Sequence, residues 1–308
     1  MDINQENINP LLDKYVVFVD EISEELHYSS NIKHLLYIIV PAFVIKYGIN
    51  NESTILNSFK NVKIYIKNHG HFVTAAFNRS LKKDGLNYYT EKFITVNSFS
   101  NTSLAVILDN FVHEFNHAIN SINNEIIVDD TYIKVRTGLA TLNYDKKDMS
   151  FITKSKEVVL EELLNTAQTE EVINIIKSFS KYVINNSELS TTLYSLNKEL
   201  GEKDYNSDAY QYQKYICENL INNKTFTPTI NNLRFKGMIE DIPTLFDNVI
   251  GEEGSYIKLN KMLAEMHDLI IKYSEKRFFK NRYLNKIKSN SSDVTRIIED
   301  YEKKCIFK

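Results

Sequence analysis

Residues Leu104–Ile122, LAVILDNFVHEFNHAINSI, decide how this chain is read. Leu104, Ile107, Leu108, Phe111, Val112, Phe115 and Ile119 recur every three or four positions, the spacing of a helix with one broad apolar face. Asn101, Thr102 or Ser103 can cap its start. Within it, His113-Glu114-Phe115-Asn116-His117 has the pattern HExxH. His113 and His117 lie one turn apart on one face, so both imidazoles can reach one ion. Zinc–nitrogen bonds need about 2.0–2.1 Å, and neutral imidazole suits Zn2+. Glu114, beside the first histidine, can take a proton from a reacting water and pass it on without binding the metal. The chain has seven histidines, so composition alone produces this pattern in roughly one such chain in a hundred. Chance is therefore a poor account of it.

Working outward, residues 12–28 and 32–47 carry helical spacing, and Gly48 ends the second run. Three strand-like segments follow: Val62–Lys67, His71–Asn78 and Phe93–Asn97, with turn signals at Asn68-His69-Gly70 and Asp84-Gly85. His69 and His71 read as turn histidines. Beyond the HExxH helix, Glu125–Asn143 reads as a strand pair bent around Arg136-Thr137-Gly138. Lys156–Phe179 is a strong helix, and further helices are expected near 188–200, 207–222, 255–275 and 292–304. Asn223–Pro243, with Pro228 and Pro243, is expected to be loop-rich. The expected class is α+β: a small β-sheet packed on the HExxH helix in an N-terminal lobe, 1–123, then a mostly helical lobe, 124–308.

Composition agrees with a folded, two-lobed chain: 308 residues, 43% apolar and 25% charged. A net charge of -3 gives no support to bulk phosphate binding, and no nucleic-acid partner is expected. Lys272–Lys288 is locally basic and reads as a solvated helix face. Cys217 and Cys305 form no CxxC, which makes a reducing compartment the default. The start, MDINQEN, is the opposite of a signal peptide. The longest apolar run, Leu35–Val44, contains Pro41 and is too short to span a bilayer. A cytoplasmic location is the default expectation, with secretion by an unrecognised route left open.

Three strands, an HExxH helix and a mostly helical second lobe resemble the zincin metallopeptidases, over about residues 60–180. The metzincin extension HExxHxxGxxH fails here, because Asn120 and Asn123 stand where it needs Gly and His. The chain is similar instead to the gluzincin, thermolysin-like branch, which takes a Glu from a later helix. VVLEELLNTAQT, Val158–Thr169, offers Glu161 and Glu162 on opposite flanks of its apolar face. Periodicity does not separate them. The resemblance favours Glu162, since Asn165 and Thr166, three and four positions later, suit a ligand helix. Asn165, Thr166 or Asn120 could bond a ligand imidazole, or be ordinary surface residues.

The resemblance implies a peptide or protein substrate added as a strand to a sheet edge. By the order of strands, His71–Asn78 is that edge and Phe93–Asn97 lies inside, with Thr74, Ala75, Ala76 and Phe77 against the substrate backbone. Tyr210, Tyr212, Tyr256, His267 and Arg136 are candidates for an oxyanion-stabilising group. The expected function is a zinc-dependent metallopeptidase with Zn2+ held by His113, His117 and Glu162 and with Glu114 as general base. The alternatives are a zinc-binding regulatory or interaction protein that cuts nothing, and a helical partner-binding module in which HExxH is accidental.

Overall fold

The computed structural model describes residues 4–67, 75–97, 103–207, 210–275 and 280–306. It is a mixed α+β fold, mainly helical with two small sheets. In chain order the elements are α1 (Gln5–Glu25), α2 (Ser30–Tyr47), α3 (Glu52–Asn61), β1 (Val62–Lys67), β2 (Ala75–Asp84), β3 (Asn87–Asn97) and α4 (Leu104–Asn120). Then come β4 (Ile126–Val128), β5 (Tyr132–Thr137), β6 (Ala140–Asp145), β7 (Phe151–Lys154), α5 (Val158–Phe179) and α6 (Ser187–Leu200). The chain closes with α7 (Gln211–Ile216), α8 (Glu218–Ile221), α9 (Phe226–Lys236), α10 (Asp241–Ile250), α11 (Ser255–Glu275) and α12 (Lys280–Ile306).

The contacts divide the chain into two units, 1–119 with 168–207, and 120–167 with 208–308. The boundary passes through α4 and α5, and the second half of α5, with α6, belongs to the first unit.

In the first unit, α2 is a core helix: every residue from Leu35 to Val44 is buried. Among the described residues, no single helix is long and apolar enough to cross a membrane; α2 with the bent segment after it passes by length and composition only. The three-stranded sheet runs β1-β3-β2, with β1 parallel and β2 antiparallel to β3. The strand before the last is thus at an edge and the last lies inside, the order the sequence predicts. The β2–β3 turn is two residues long, and Gly85 takes its positive φ of 58°.

Helix α4 begins at Leu104, where the Ser103 hydroxyl accepts from the Val106 N–H at 3.3 Å. Asn101 and Thr102 lie outside the described residues. Leu108, Phe111, Val112, Phe115 and Ile119 are wholly buried, each contributing roughly 1.5–3 kcal/mol. Phe115, between the two histidines in sequence, packs 4.4 Å from Phe59 and 6.3 Å from Phe43, centroid to centroid. The helical period therefore anchors one face of α4 in the core and leaves His113 and His117 on another.

The second unit holds the β4-β5-β6-β7 sheet and α7 to α12. Here the structure corrects the expected loop at Asn223–Pro243, which contains all of α9 and the start of α10. Pro228 and Pro243 are each the third residue of their helix. First-turn N–H groups have no intrahelical acceptor, so proline sacrifices nothing there. Just before α9, the Asn223 side chain accepts from the Thr225 and Phe226 N–H groups. The expected 207–222 helix is split into α7 and α8, and the expected 292–304 helix extends back to Lys280.

Candidate metal centre

Among the described residues, one group of three or more His, Cys, Asp or Glu side chains lies close enough to share an ion: His113, His117 and Glu162. Their ligand atoms all lie within 4.8 Å of one another. A tetrahedral zinc with bonds near 2.0–2.1 Å separates its ligand atoms by about 3.3 Å, so modest side-chain adjustment closes the group. The two rings are 5.0 Å apart and nearly perpendicular. Two imidazoles and one carboxylate are a donor set that suits zinc.

Glu114 stands outside that group. It is 8% exposed, and its Oε2 accepts from the Phe77 N–H at 2.6 Å. Phe77 lies on the edge strand β2, opposite Ile94 of β3. Ala75, Ala76 and Phe77 are all within β2; Thr74 lies outside the described residues, as do His69 and His71.

Asn116, in the second x position of HExxH, is wholly buried. Its Nδ2 donates to Thr169 Oγ1 at 3.1 Å, and its Oδ1 accepts from the Tyr47 hydroxyl at 3.3 Å. These bonds fix the rotation of α4 from the side away from solvent. Asp109, one turn before His113, accepts from the Ser207 hydroxyl at 3.2 Å. Burial raises its carboxyl above the usual range, against the opposing pull of His113, Tyr205 and Ser207.

The two glutamates of α5 have different surroundings. Glu161 is 1% exposed. Its carboxylate accepts from Arg234 Nη2 at 2.5 Å, Arg234 Nε at 3.0 Å and the Leu139 N–H at 2.7 Å. That group is committed to an ion pair, whereas Glu162 is the one beside the histidines. Thr166 donates its hydroxyl to the Glu162 carbonyl at 2.8 Å, not to an imidazole. Asn165 and Asn120 are wholly buried rather than surface residues.

Of the oxyanion candidates, Arg136 is corrected to a structural role. It is wholly buried and donates to the carbonyls of Gly138, Asn120, Asn123 and Arg234. Burial pushes its guanidinium down to about 10, which leaves it cationic at neutral pH. Tyr256 is buried in the apolar core of the second unit. The Tyr212 side chain lies outside the described residues. Tyr210 and His267 stand together, 6.0 Å between ring centroids, with Gln213 Nε2 3.0 Å from His267 Nδ1. Tyr210 holds a positive φ of 52°, uncommon for a bulky residue.

Sequence reasoning misses Arg234 and reads Gly138 only as part of a turn. Gly138, at φ 60°, lies where a Cβ would overlap the Glu161 carboxylate. Gly85 has φ 58° with nothing within 4 Å of such a Cβ. Gly85→Ala is expected to lose about 1–2 kcal/mol from backbone strain alone. Gly138→Ala should lose that and several kcal/mol more, because the buried ion pair must move. Urea unfolding of both variants checks this, and equal losses would contradict the packing described.

No family model, no curated protein and no solved structure matches this chain.

Proposed function

We propose that this chain is a zinc-dependent metallopeptidase of gluzincin type. The observation that carries the reading is the convergence of His113, His117 and Glu162, with Glu114 of α4 buried and held by the edge strand through the Phe77 N–H rather than lying among the ligands. Bound zinc would supply Lewis acidity to a water and to the scissile carbonyl.

The chain's own residues supply the rest. Glu114 accepts the water's proton and delivers it to the leaving amine, as a general base that becomes a general acid. The Phe77 N–H holds Glu114 Oε2 in place, so proton transfer needs little reorganisation of the carboxylate. Phe77 is on an edge strand whose outer side faces Glu114. A peptide paired along that edge would bring its carbonyl carbon to the base. Tyr210 and His267 remain the candidates for stabilising the oxyanion.

The test is hydrolysis of a mixed peptide library, followed by mass spectrometry. Cleavage is expected, abolished by chelator and restored by equimolar zinc. Zinc bound at one ion per chain with no cleavage would favour the second reading, a zinc-holding regulatory protein. The Phe77 N–H already occupying an oxygen of Glu114 is the observation that keeps that reading in view.

Chelation also has a stability readout. A ligand at a hundred times its Kd stabilises by about 2.7 kcal/mol, so stripping zinc should lower the Tm by several degrees. An unchanged Tm on chelation would favour an accidental HExxH.

A further inference from the structure

Within the second unit, four chain segments meet at a buried charged cluster. They are the end of α4 with Asn123, the β5–β6 turn at Arg136 to Leu139, the first turn of α5 at Glu161, and the end of α9 at Arg234 to Gly237. Arg136 and Arg234 are 0% exposed and Glu161 is 1% exposed. Buried ion pairs are weak contributors to stability, since well-packed apolar residues of similar volume often do as well or better. Their position is therefore more informative than their energy.

Arg234 grips Glu161 through two nitrogens, Nη2 to Oε1 at 2.5 Å and Nε to Oε2 at 3.0 Å. Such a two-pronged contact fixes orientation as well as distance. Glu161 directly precedes Glu162, so fixing its carboxylate fixes the rotation of the turn that carries Glu162. Arg234 passes the constraint on through its carbonyl, which accepts from Arg136 Nη2 at 2.8 Å. Arg136 Nη2 also donates to the Asn120 carbonyl at 2.8 Å, and Nη1 donates to the Asn123 carbonyl. Asn120 is the last residue of α4, one turn past His117. A cation on the last carbonyls of a helix satisfies groups that lack an intrahelical donor.

Two glycines permit this close approach. A Cβ at Gly138 would overlap Glu161, and one at Gly237 would overlap the Asn123 carbonyl and reach 2.7 Å from Arg136 Nη1.

We infer that Glu161, Arg234 and Arg136 form a positioning clamp, tying the α5 turn that bears Glu162 to the end of the helix that bears His113 and His117. This rests on the metallopeptidase reading only in taking those three residues as the ligands. The clamp touches neither metal nor substrate; it sets the spacing of the residues that hold the metal.

The test is zinc affinity of the full chain, by competition with a chromophoric chelator, together with the visible spectrum of the cobalt-substituted protein. The main variant is Glu161→Leu with Arg234→Met. It removes one charge of each sign, leaving the buried net charge unchanged, and it is expected to fold. Its zinc affinity should fall by about 10–100-fold, as when groups that orient metal ligands are removed, and its cobalt spectrum should change. Arg234→Lys keeps the charge and loses the two-pronged contact; a smaller loss in the same direction is expected, and it decides the matter if the double variant does not fold. Phe246→Leu, in the apolar core of the same unit, is the control: a lower Tm with wild-type zinc affinity and spectrum. Wild-type affinity and spectrum in the folded double variant, or in Arg234→Lys should the double variant not fold, would overturn the clamp while leaving the metal site standing. Loss of affinity in Phe246→Leu as large as in the clamp variants would also overturn it, reducing the clamp to general stability. A wild-type chain that binds no zinc would overturn the metal reading and the clamp together.

Discussion

Glu114→Gln is expected to bind zinc as the wild type does and to lose about 10²–10⁴ in kcat for peptide hydrolysis, the range general acid–base catalysis supplies. Glutamine is nearly isosteric, and its side-chain oxygen can still accept from the Phe77 N–H, which lies 2.6 Å from the glutamate oxygen. The edge strand and α4 therefore keep their relation. The ligand group contains His113, His117 and Glu162 but not Glu114, so metal content should not change. What disappears is the capacity to take a proton from water and return it to the amine. Full activity in this variant would remove Glu114 from the mechanism. Loss of zinc together with activity would mean that Glu114 belongs to the metal site instead.

Glu161→Ala and Glu162→Ala should behave in opposite ways although the residues adjoin. Removing Glu161 strands the Arg234 guanidinium in a site where both partners are almost fully excluded from water. It also leaves the Leu139 N–H without its acceptor. Breaking one side of a buried pair costs about 3–5 kcal/mol, so Glu161→Ala should be strongly destabilised in urea. Glu162 is only half-buried, and its alanine variant should unfold near the wild-type midpoint when both proteins are free of zinc. Similar destabilisation of the two metal-free variants would contradict the division of roles between these glutamates.

The parts of the fold legible in the sequence are those set by local pattern. The period of Leu104 to Ile119 gives α4, with its cap left among Asn101, Thr102 and Ser103, and Asp84-Gly85 gives the β2–β3 turn, because these depend on neighbours within one turn or hairpin. The edge position expected for His71–Asn78 comes from the resemblance rather than from local pattern. Proline misleads at Pro228 and Pro243, since its effect depends on its place in a helix, which composition does not reveal. The two contact units are a matter of long-range packing, with α5 contributing to both. Periodicity leaves Glu161 and Glu162 equivalent for the same reason. Arg234, which engages Glu161, lies 73 residues further along, and Leu139 lies 22 residues before it. The preference for Glu162 comes from the resemblance to gluzincins; Glu162 lies beside the two histidines and Glu161 against Arg234. Arg136 shows the converse: in sequence it is one of five oxyanion candidates, whereas its donors are spent on four carbonyls.

The central claim is that His113, His117 and Glu162 hold one zinc ion. Elemental mass spectrometry of the chain, purified without added metal or chelator, tests it most directly, with Glu162→Ala measured alongside. About one zinc per chain in the wild type, with loss of most of it in Glu162→Ala, is the predicted result. A wild-type chain that carries no zinc even after zinc is offered, or a Glu162→Ala variant that keeps its full complement, would contradict the account.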